Sequence, residues 1–64
     1  MTPDEIKALR AELDLTQREW AVRLKVDVSY IGRMERGVIK PSLSMLRKLR
    51  RELRRAAKRK PKEA

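Results

Sequence analysis

The stretch from Leu15 to Ser42, LTQREWAVRLKVDVSYIGRMERGVIKPS, constrains the fold more than any other part of this 64-residue chain. Thr16-Gln17-Arg18-Glu19 is a capping box, in which Thr16 and Glu19 satisfy each other's backbone N–H groups, so a helix begins at Gln17. Trp20, Ala21 and Leu24 recur at helical spacing and form its buried face. Lys25-Val26-Asp27 is a short turn, and Asp27 is a good N-cap for a second helix over about 28–36. Gly37 stops that helix. Val38-Ile39-Lys40-Pro41 reads as a loop with two exposed apolar side chains, and Ser42 caps a further helix.

The flanks supply two more helices. Thr2-Pro3-Asp4-Glu5 is a second capping box with proline at the first helical position, and the acidic first turn suits the helix dipole. Ile6, Leu9 and Leu13 make the inner stripe of this first helix, with Arg10 beside it, and Asp14 ends it because Asp tolerates the left-handed conformation. After Ser42, the spacing puts Leu43, Leu46, Leu49 and Leu53 on the inner face of a fourth helix that runs to about Lys58, with Pro61 as a limit and Lys62-Glu63-Ala64 as a disordered end. No strand signal and no internal repeat is visible. The expected fold is all-α, a compact bundle of four helices. Residues 1–53 are read as the domain, and residues 54–64 as a basic helical extension and tail.

Charge divides the chain the same way. Residues 1–46 hold eight basic and seven acidic residues, whereas residues 47–64 hold ten basic and two acidic ones, so a near-neutral domain carries a polycationic end. Such a block attracts polyanions, above all nucleic acid, although a solvated helix end would look similar. With no Cys and no His, thiolate metal sites, disulfides and the commonest general base are excluded, and no Gly-rich phosphate loop or convergent carboxylate pair is present. The chain is not expected to be an enzyme or to need a cofactor or metal. No apolar run approaches the ~18 residues of a membrane span, and MTPDEIK lacks the regions of a secretory signal, so the cytoplasm of a bacterium, at the nucleoid, is the expected location.

Two helices joined by a turn of a few residues make a helix-turn-helix, whose second helix can enter a DNA major groove. On a wheel of ~100° per residue, Ile31 and Met34 point inward with Tyr30 and Glu35 beside them. Ser29, Gly32, Arg33 and Arg36 point outward, and Val28 stands at the leading edge. Small residues let a helix sit deep in a groove, Arg can bridge guanine O6 and N7, and Val can touch a thymine methyl. Gly32 also has a packing explanation, against the preceding helix.

These residues resemble the Cro/repressor, or XRE, family of phage and bacterial helix-turn-helix regulators. The likeness spans about Ile6 to Leu53 and rests on Leu15-Thr16-Gln17, Ala21, Ile31, Glu35-Arg36-Gly37 and Pro41-Ser42 in the family's spacing. It implies a bundle of four or five helices that binds a double-stranded DNA operator, usually as a homodimer. It places Val28, Ser29 and Arg33 at base-reading positions, and Gly32 joins them in the expected base-reading set from its place on the outer face. Gln17 falls where helix two meets phosphate, and Arg36 and Lys40 fall at further phosphate contacts; Thr16 and Arg18, beside Gln17, are further phosphate candidates. It also puts Arg10 and Glu35 where some members bury an ion pair. The chain departs from the family at Asp14 and Lys25, where Gly is common. A positive φ at Lys25 costs ~1–2 kcal/mol, so an adjusted turn is expected there. No apolar fifth helix follows Leu53 to carry the usual dimer contact.

The leading function is therefore a sequence-specific transcriptional regulator of repressor type that reads the major groove with helix 28–36. An antitoxin that also binds a protein partner, and a protein-docking adaptor with nonspecific nucleic-acid affinity, stay open as alternatives.

Overall fold

The computed structural model describes residues 1–58. The expected stop at Pro61 and the last charges of the tail lie outside the described residues. Four helices follow one another: α1 (Pro3–Glu12), α2 (Gln17–Leu24), α3 (Val28–Arg36) and α4 (Leu43–Lys58), with no strand among the described residues. Both capping boxes form: Glu5 N–H donates to Thr2 Oγ1 at 3.1 Å and Glu19 N–H to Thr16 Oγ1 at 3.0 Å, with each Glu side chain reaching back to its cap. Asp27 caps α3 by accepting from Ser29 N–H, and Ser42 caps α4 by accepting from Met45 N–H at 3.1 Å.

The first three helices end in the same way. Asp14, Lys25 and Gly37 each take a left-handed conformation, with φ of 60°, 62° and 77°. In each case the next residue's N–H reaches back five residues: Leu15 to Arg10, Val26 to Ala21 and Val38 to Arg33. These are Schellman turns, and only one of the three uses glycine. The adjusted turn expected at Lys25 is therefore not found. Three contacts hold the strained residue in place: the backbone bonds of Lys25 and Val26, the packing of Val26 on the core, and the Lys48 ammonium, which donates to Leu24 O at 2.8 Å.

The core is built from Ile6, Leu9 and Leu13 of the first helix and its cap, Trp20, Ala21 and Leu24 of α2, Ile31 and Met34 of α3, and Met45, Leu49 and Ala56 of α4. The face of α4 differs from the expected one. Leu43 and Leu53 are exposed, at 68% and 45%, and the buried line runs Met45, Leu49, Glu52, Ala56. Counting leucines alone misplaced the stripe, because Met and Ala fill the tight inner face and a carboxylate is buried among them. The core thus extends a turn beyond Leu53. Ile39 also packs on the core instead of standing exposed, leaving Val38 alone in solvent at 63%.

Candidate nucleic-acid interface

The α2–α3 pair is anchored from beneath by one charged cluster. Arg10 grips Glu35 with two donors, Nε to Oε2 at 2.6 Å and Nη2 to Oε1 at 3.0 Å, while its Nη1 donates to Leu15 O at 3.0 Å. Gln17 Nε2 donates to the same carboxylate at 3.1 Å. A single carboxylate at the end of α3 thereby joins α1, the start of α2 and α3. The Glu35 side chain is 2% exposed, so leaving it unpaired there would be costly. Burial pushes its carboxyl up, but hydrogen bonds from Arg10 and Gln17, with the Arg10 charge, outweigh burial and hold it below the usual carboxylate range. The bond to Glu35 in turn holds Arg10 more firmly protonated.

Above this anchor, α3 turns an open face to solvent. Val28, Ser29, Arg33 and Arg36 are exposed, and so are Thr16, Arg18 and Lys40. Gln17 is half-buried because its amide serves Glu35. The Arg33 side chain makes no hydrogen bond or close ion pair with any described residue, so its five donors are unspent.

Gly32 does not lie on the outer face as the wheel suggested; it is buried at the α2–α3 junction. A Cβ there would stand 3.2 Å from Arg36 Nη1 and 4.0 Å from Gln17 Oε1. The wheel failed because it counts direction only, and Arg36 folds back over the gap that the glycine leaves.

The hydroxyl of Ser29 already donates to Asp27 Oδ2, a bond that sequence reading missed although the Asp27-x-Ser29 spacing signals it. Hydrogen bonds from the Ser29 hydroxyl and backbone hold the Asp27 carboxyl below its usual range, with the Arg33 charge adding to the effect. Ser29 therefore meets a ligand with its lone pairs or after releasing Asp27. Tyr30 Oη accepts from Ser42 N–H at 3.4 Å and ties the far end of the loop to α3.

Among the described residues, no three His, Cys, Asp or Glu side chains are placed to hold a metal ion, and no helix is long and apolar enough to cross a membrane. Two short helices locked at a tight turn, the second with an open basic face, define a helix-turn-helix DNA-binding domain. The chain matches the helix-turn-helix family model HTH_3 over residues 6–58, and it belongs to that family of XRE-type DNA-binding transcription regulators rather than to an enzyme family. No curated protein and no solved structure gave a match to this chain.

Proposed function

We propose that the protein is a sequence-specific repressor that reads an operator through the major groove with α3. Arg33 carries the proposal: it is an exposed guanidinium whose side-chain donors make no hydrogen bond to the described residues, one turn from Ser29 on the open face of a rigidly anchored helix. Guanine O6 and N7 match its two-pronged donor geometry. Val28 and Ser29, at the leading end of α3, read the neighbouring base pairs. Thr16, Gln17, Arg18, Arg36 and Lys40 take phosphate oxygens, and such contacts fix register without carrying sequence information. In this reading Gly32 gives clearance, letting Arg36 lie flat against α3.

Repression follows as steric exclusion of other proteins from the operator, and needs nothing beyond occupancy. Selection of bound sequences from a random duplex pool tests the reading. A recovered motif of a few base pairs supports it, and two-fold symmetry in that motif marks a homodimeric reader. Recovery of unselected sequence at every round contradicts it.

A further inference from the structure

A second charged surface lies outside this interface. On α4, Arg47, Arg50, Arg51, Arg54 and Lys58 are all exposed. At ~100° per residue they lie within about 50° of the direction opposite the buried line of Met45, Leu49, Glu52 and Ala56. The ridge spans about 16 Å at 1.5 Å per residue. The one acidic residue of α4, Glu52, is turned inward to Arg23 and Trp20, so the helix places no carboxylate on the ridge.

The ridge belongs to a different part of the bundle from the reading helix. α1 packs against both α3 and α4, and α3 and α4 share no extended interface. α1 therefore stands between the reading helix and the helix that carries the ridge.

We infer that the α4 ridge binds the phosphate backbone of a second DNA duplex, so that one protein molecule holds two DNA segments together. The inference rests on the DNA-reading role of α3 and adds a second site to it. Charge complementarity favours a polyanion, since duplex DNA offers one phosphate per ~1.7 Å of axis. A membrane surface fits poorly, because an interfacial helix buries its apolar face in lipid and α4 spends its own on the core. Single strands fit poorly too, because they need aromatic platforms. Of the two aromatic residues, Trp20 is fully buried and Tyr30 half-buried. The backbone of a duplex, gripped without base readout, remains.

The test uses the full chain, a bead-bound duplex and a free fluorescent duplex, both of random sequence and about three helical turns long. The protein should retain the free duplex on the beads. Replacing Arg47, Arg51, Arg54 and Lys58 with Gln should abolish retention while binding to one selected site persists. Replacing the three arginines with Lys should preserve retention, because phosphates need the charge and not the fork. Four phosphate contacts predict that the bridging affinity falls roughly 100-fold between 50 and 200 mM salt. Three results would overturn the inference: no retention by the natural chain, retention that survives the Gln variant, or retention lost only when residues 59–64 are removed. Survival in the Gln variant would point to a second copy's reading helix. None of these results bears on α3, whose failure would appear separately as loss of any selected motif.

Discussion

Two buried carboxylates organise this small bundle, and they differ in what they hold. Glu35 receives three side-chain donors from two other helices, with a two-pronged Arg10 and a side chain only 2% exposed. Glu52 receives a single nitrogen of Arg23, at 2.9 Å from Oε1 and 3.1 Å from Oε2, and a long 3.4 Å bond from the Trp20 indole. The Arg23 and Glu52 side chains are 32% and 10% exposed, so water screens this pair more. The first cluster fixes the reading helix against α1 and α2. The second fastens α4 to α2. Tight geometry is thus concentrated where a small misplacement would move base-reading side chains.

The largest effect should come from breaking the first pair alone. Arg10→Met should cost ~3–5 kcal/mol of stability, because the Glu35 charge is stranded in the interior; Glu35→Leu should cost less, because the Arg10 it leaves is part-exposed. The double variant should recover part of this loss in a denaturation cycle, whereas additive losses would show that the two side chains act independently. The second pair should matter less. In the corresponding cycle on Arg23→Met and Glu52→Leu, the coupling should be about 1 kcal/mol or below, as for a part-exposed ion pair, and DNA affinity should stay unchanged. Equal coupling in the two cycles would erase the contrast between the clusters.

The smallest effect concerns acid. Glu35 has a depressed pKa in the folded chain, so its contribution is fully present above the unfolded Glu value of about 4.3 and is lost as pH falls through the lower folded value. Burial opposes the hydrogen bonds, which keeps the net contribution small. Glu35→Gln should remove this part of the acid dependence of denaturation. An acid limb identical in the variant would assign the dependence to other carboxylates.

The contrast between the clusters also shows what the chain disclosed before its structure was known. Helix limits were legible because they rest on local chemistry, namely two capping boxes, Asp27, Ser42 and Gly37. The pairing of Arg10 with Glu35 was within reach because each charge flanks an apolar stripe and the family resemblance joins them. The burial of Glu52 is hidden from a count of leucines, because Met45, Leu49 and Ala56 share its face. A lone acid among arginines, aligned with those three, is the signal that would have found it. The positive φ at Lys25 was weighed only as a local cost. Its support comes from Lys48 on α4 and from Val26 on the core, tertiary contacts that local sequence does not carry. The burial of Gly32 has a local cause instead: the side chain that covers it belongs to Arg36, one turn later on the same helix.

The central claim is that the anchored α3 reads bases through Arg33, and one affinity comparison tests it directly. The natural chain and Arg33→Ala would be titrated against the best selected duplex and against a set changed one base pair at a time. The account predicts that Arg33→Ala loses ~1–3 kcal/mol on the best site and loses preference at one base pair only. Equal weakening on every duplex, with the preference at each position intact, would make Arg33 a phosphate ligand and contradict the assigned register of α3.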